Sequence, residues 1–268
     1  MDYVCTFKVK GTFDYNNSTM KKLRFLACLT TFLMISACGN DDGSNTDGDF
    51  MQPQELSPQQ EAFIEEYEYV TFNFSPTSFG GDRNEKWSGV VRLSLEGTIA
   101  DSYRQGVENQ LEVWNNFITD GTRLELTDEV ANANIRLYLG QESEIESIWP
   151  DMYDLISAGN FSGYALFNRD GNFNITIGRI WVKNTSIPLF DHELGHIMGL
   201  GHASGTYCQQ FNNPSRSFMC SGLAPEFSSF DAAMIETLYH PDIEVGRTFS
   251  QLRPIIRALL LSETITIE

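Results

Sequence analysis

Between His192 and His202 the chain reads His-Glu-Leu-Gly-His-Ile-Met-Gly-Leu-Gly-His, and this stretch uses three of the four histidines present. Histidines at i and i+4 share one face of a helix, so His192 and His196 can aim their imidazoles at one point. Glu193 is turned about 100° from His192, outside the ligand pair but near it, which suits a base better than a ligand. A continued helix would carry His202 about 240° around from His196, to the wrong side. The helix must therefore stop, and Gly199 supplies the stop, because glycine takes the left-handed conformation that ends many helices. His202 can then return as a third ligand.

Three neutral imidazoles suit Zn2+, leaving a fourth position open for water whose pKa falls toward about 7. A carboxylate beside that water can accept its proton and pass it to a leaving amine. Short His-Glu-x-x-His strings arise by chance, whereas the form extended through Gly199 and His202 is far more specific.

The residues from His192 to His202 resemble the metzincin zinc peptidases, and the Leu-Gly-Leu-Gly-His ending is most similar to matrixin-type members. The resemblance implies one catalytic Zn2+ held by His192, His196 and His202, with Glu193 as general base. It implies a methionine turn beneath the metal, for which Met219 in Ser217-Phe218-Met219-Cys220-Ser221 is in place. It also implies an α+β, zincin-like fold. This has a twisted mixed β-sheet, a long backing helix, an active-site helix, and a small C-terminal subdomain carrying the methionine turn. An antiparallel edge strand lines the cleft, here through Tyr164, Ala165 and Leu166, and extended substrate adds to it as a further strand. Some subfamilies place a tyrosine just after the methionine; this chain has Cys220 and Ser221 there.

The N-terminal region carries a different message. After Met20, Lys21, Lys22 and Arg24 precede an apolar run from Phe25 to Ile35. That run is shorter than the roughly 20 residues of a membrane span, but fits a secretory signal. It ends in Ile35-Ser36-Ala37-Cys38, which resembles the lipobox of bacterial lipoproteins and makes Cys38 the expected lipidation site and mature N-terminus. Residues 1–37 are thus read as upstream residues plus signal peptide. Residues 38–60 are read as an acidic, flexible, lipidated linker with an average reach of roughly 25 Å. Residues 61–268 are read as the zinc metallopeptidase domain, with an upper part at about 85–200 and a lower part at about 201–268. The expected location is the outer membrane of a bacterial envelope, facing periplasm or surface, with the lipid as the membrane contact.

The formal net charge of −18 lacks the basic patches that phosphate binding needs, so nucleic acid is excluded as a partner. Peptide or protein substrate is the expected partner of a monomer. Of five cysteines, Cys5 and Cys28 fall before the expected cleavage point and Cys38 is committed to lipid. Cys208 and Cys220 remain, and in an exported domain they are expected to pair.

Periodicity gives the elements around the motif. Strand alternation is read at Trp87–Leu95, Arg123–Leu126, Ile135–Leu139, Gly163–Phe167 and Phe173–Val182, the last two joined by a turn at Asp170-Gly171. Helical spacing is read over Thr98–Ile118, over Glu142–Ala158 with a break at Pro150, from Ser186 into the motif, over Ser228–Tyr239 and over 248–261. Glu61–Phe74 fits helix or strand, and the stretch after His202 reads as loop. A second functional reading stays open: a non-catalytic lipoprotein that keeps zinc for structure and holds peptides or glycans in its cleft. Glu193 favours catalysis, since a purely structural site needs no base and fills its fourth position with protein.

Overall fold

Hydrophobic alternation builds a five-stranded mixed sheet in the order β2-β1-β3-β5-β4, from β1 (Val90–Gly97), β2 (Arg123–Thr127), β3 (Ile135–Leu139), β4 (Gly163–Arg169) and β5 (Ile175–Val182). The computed structural model describes residues 54–72, 81–210, 217–220, 224 and 226–267. Strands β2, β1, β3 and β5 run parallel, and β4 closes one edge antiparallel to β5 with Ala165 opposite Ile180. Eight α-helices accompany the sheet among the described residues: α1 (Pro58–Phe72), α2 (Asp101–Phe117), α3 (Glu142–Ile148), α4 (Pro150–Ile156), α5 (Ile187–Ile197), α6 (Gly205–Gln210), α7 (Ser229–Leu238) and α8 (Phe249–Leu261). The architecture is α+β.

Successive strand residues face opposite sides, and the two sides of this sheet have different covers. Ala165 and Phe167 of β4 and Ile180 and Val182 of β5 join the main core with Val107, Leu111 and Trp114 of α2 and Phe190, Leu194 and Ile197 of α5. Tyr164, Leu166 and Trp181 face the other way, into a smaller cluster with Ile145 of α3, Met152 and Ile156 of α4, and Trp149 between the two helices. The edge strand is therefore buried on both faces.

Several boundaries differ from those read in the sequence, each for a local reason. β1 begins at Val90, because the preceding Trp87 is buried with its indole N–H donating to the Ile197 carbonyl (2.8 Å). β5 begins at Ile175, because Phe173 takes a positive φ of 69° in a turn where Asp170 Oδ1 accepts the Asn172 and Asn174 N–H groups. The segment after His202, expected as loop, includes α6, whose first turn Ser204 caps by accepting the Tyr207 N–H at 3.0 Å. The ambiguous Glu61–Phe74 segment is helical to Phe72, and α1 starts at Pro58, so the last residues of the expected linker are helix. The expected signal peptide and Cys38 lie outside the described residues. Among the described residues no helix is long and apolar enough to cross a membrane.

Candidate metal centre

Helix α5 begins where the sequence placed it. Ser186 caps it by accepting the Leu189 N–H at 3.3 Å, and Pro188 occupies its first turn, where a missing N–H leaves no bond unmade. Its end is held more elaborately. Leu200 N–H donates to the Gly195 carbonyl and Gly199 N–H to the His196 carbonyl, the paired bonds of a Schellman turn, with Gly199 at φ +95°. Two carbonyls beyond these are taken by distant side chains, Ile197 by the Trp87 indole and Met198 by the Tyr239 hydroxyl at 3.0 Å. These bonds satisfy the acceptors that a helix end leaves over, and they fix the point at which the chain turns back.

The turn brings the three histidines together. The ring centroids of His192, His196 and His202 lie 4.7–5.2 Å apart, and one ligand nitrogen from each falls within 4.8 Å of the others. His192 Nδ1 donates to the Phe218 carbonyl at 2.7 Å, and His196 Nδ1 donates to the Leu200 carbonyl at 2.9 Å. A carbonyl can only accept, so in both rings the proton sits on Nδ1 and the lone pair on Nε2. His202 Nε2 lies 3.2 Å from His192 Nε2, close to the roughly 3.3 Å between two nitrogens on a tetrahedral zinc. Burial holds all three imidazoles neutral: His192 is lowered, His196 lies well below its usual range, and His202 falls to about 3 with help from the neighbouring His192. Neutral rings, fixed tautomers and a shared focus are what a zinc ion needs from its ligands.

Glu193 is fully buried beside this cluster. A β-carbon on Gly163 would stand 2.7 Å from its Oε1 and 3.0 Å from its Cγ, so the glycine that opens β4 makes the room the carboxylate occupies. The base candidate and the start of the edge strand are thus in contact. Tyr164, Ala165 and Leu166 lie on that edge as expected, but their side chains are 1%, 2% and 6% exposed. They can address an added strand only through the backbone.

Met219 is buried against α5. A β-carbon on Gly195, between the two helix histidines, would collide with its sulfur and with the Phe218 ring. The same turn therefore supplies the methionine beneath the helix and the carbonyl that fixes His192. Met219 also accepts the Ala203 N–H at 3.1 Å, tying the turn to the residue after His202. Cys208 of α6 and Cys220, next to Met219, form a disulfide across 12 positions of sequence. Opening a loop of this size is expected to lower stability by about 3 kcal/mol. Thermal unfolding with and without reductant measures this, and an unchanged midpoint would show that the bridge does not brace the domain.

Sequence reading missed four residues that position the site. Besides Trp87 and Tyr239, buried Asp231 accepts the Ser228 N–H at 2.9 Å and the Phe218 N–H at 3.3 Å, fastening the methionine turn to the start of α7. The fourth is Glu66 of α1, whose carboxylate accepts both the N–H and the hydroxyl of Ser204 at 2.6 and 2.7 Å. On the other side of α5, Trp114 of α2 donates to Asp191 at 3.3 Å, while burial pushes that carboxyl up to about 8. Only the capping role of Asp231 had a local signature, the Ser-x-x-Asp of a capping box.

Compared with known proteins, the chain matches no protein-family model and no curated protein.

Proposed function

We propose that the chain is a zinc-dependent endopeptidase of the metzincin type, similar to matrixins. The observation that carries this is the convergence of three neutral imidazoles, two buried and one half-buried, next to a buried carboxylate that lies against the first residue of the sheet's edge strand. His192, His196 and His202 would hold the ion. Zinc, when bound, polarises the scissile carbonyl and lowers the pKa of a water. Glu193 would accept a proton from the attacking water and deliver it to the leaving amine. Strand β4 lines up an extended peptide so that its scissile bond comes beside Glu193, and the peptide pairs as a sixth strand. The Phe218 carbonyl keeps His192 in register, and Met219 packs against Gly195 of the same helix.

The proposal extends to the location: lipid on Cys38 anchors the chain in a bacterial envelope and an acidic tether stands the domain off the membrane. Chelation tests the chemistry. Cleavage of an unfolded protein is expected to vanish when zinc is stripped and to return when one equivalent is restored. Cleavage that survives complete removal of metal would sink the reading. If zinc binds and nothing is cleaved, a zinc-containing binding protein for peptides or glycans is the better account.

A further inference from the structure

His192 and His196 are rigid because they stand on one helix. His202 has no such support: it follows the Schellman turn on an irregular stretch, and what holds that stretch decides where the third ligand sits. Its anchors run along the backbone. Leu200 N–H goes to Gly195 and Ala203 N–H to Met219, both part of the site already described. Two further anchors go to α1. Gly201 N–H, immediately before His202, donates to the Val70 carbonyl at 2.7 Å, and Ser204, two residues after it, gives both its N–H and its hydroxyl to Glu66. The loop is gripped on both sides of the ligand by one helix from far upstream.

The grip has the marks of a built contact. Glu66 is 8% exposed, and both its oxygens are used in short bonds to Ser204. Each oxygen accepts one of the two bonds, so the carboxyl group fixes Ser204 at two points. Helix α1 is itself anchored away from the loop: Phe63 packs edge-on against Phe230, Phe72 against Phe249, and Glu61 pairs with Arg253 and Arg257 of α8. A ligand held by a rigid second layer keeps its geometry, and loss of such a partner typically weakens metal affinity 10- to 100-fold.

We propose that α1 is the brace for the third metal ligand and that Glu66 is a positioning residue for His202, acting through Ser204. This inference rests on the zinc reading of the histidine triad. It makes α1 part of the metal centre's supporting layer, although none of its residues contributes a ligand.

The test uses the full chain in three forms: wild type, Glu66→Ala and Glu66→Gln. Zinc affinity is measured by competition with a chromophoric chelator, and the visible spectrum of the cobalt-substituted protein reports ligand number and geometry. Glu66→Ala is expected to bind zinc about 10- to 100-fold more weakly and to show altered cobalt bands. Glu66→Gln keeps an oxygen for the Ser204 N–H and is expected to recover most of the affinity and the wild-type spectrum. If Glu66→Ala does not fold, Ser204→Ala removes one bond of the pair and is expected to shift affinity and spectrum in the same direction by less. A folded Glu66→Ala chain, or in its place a Ser204→Ala chain, with wild-type affinity and spectrum would overturn the brace alone. A wild-type chain that binds neither metal would overturn the zinc reading and the brace with it.

Discussion

Glu193→Gln is expected to lower kcat/KM for peptide hydrolysis by about 100- to 10,000-fold while leaving one zinc bound per chain. The amide matches the carboxylate in shape, so it fits the buried space beside Gly163, but it cannot take a proton from the attacking water. The two helix histidines have holds of their own: His192 is held by Phe218 and His196 by Leu200. Activity and metal content should therefore separate. Measuring both on the same preparation checks this, and a variant that loses zinc in step with activity would move Glu193 from base to structural support.

Gly199→Ala is expected to strike fold and metal centre together. The left-handed φ of +95° disfavours any side chain by about 1–2 kcal/mol, and the added methyl would run into the carbonyl oxygen of Glu85. That carbonyl cannot easily retreat, because its residue is buried and paired with Arg169 at 2.5 Å while the next two residues are tied to Ile175 and Ile197. Overpacking of this kind adds about 1–3 kcal/mol, so a total of roughly 2–5 kcal/mol is expected. For a domain of this size each kcal/mol lowers the unfolding midpoint by about 2–4 °C. Zinc affinity should fall as well, because Gly199 sets the turn that returns His202. Gly171→Ala is the control: a β-carbon there meets nothing, and calorimetry should find it close to wild type. Equal behaviour of the two variants would contradict the role given to Gly199.

Much of the site was legible in the sequence because its determinants are local. Histidine spacing, Ser186, Pro188 and Gly199 specify helix α5, its start and its end within a short stretch, and the structure follows them. The strands were legible where alternation is clean, as in Ile135–Leu139, and blurred where a residue near the strand serves another element. Trp87 looks like a strand residue, yet its indole closes the end of α5, 110 positions away in sequence. Glu66 looks like one of many acidic residues in an acidic chain. Its meaning comes from Ser204, 138 positions on, and no periodicity encodes such a pairing. The pairing of Cys208 with Cys220 was legible by elimination, whereas α6 was not, because its short sequence Gly-Thr-Tyr-Cys-Gln-Gln has little helical patterning.

The layout has a mechanical logic. His192, His196, Glu193 and Met219 form one packed unit on and against α5, and the stretch carrying His202 is brought to it by a turn and bonded to α1.

The most direct measurement pairs zinc content with product analysis: the wild-type chain is loaded with zinc, incubated with a broad peptide library, and the new termini are read by mass spectrometry. One zinc per chain and cleavage at internal bonds are the expected result, whereas one zinc per chain with no cleavage of any member would contradict the peptidase account.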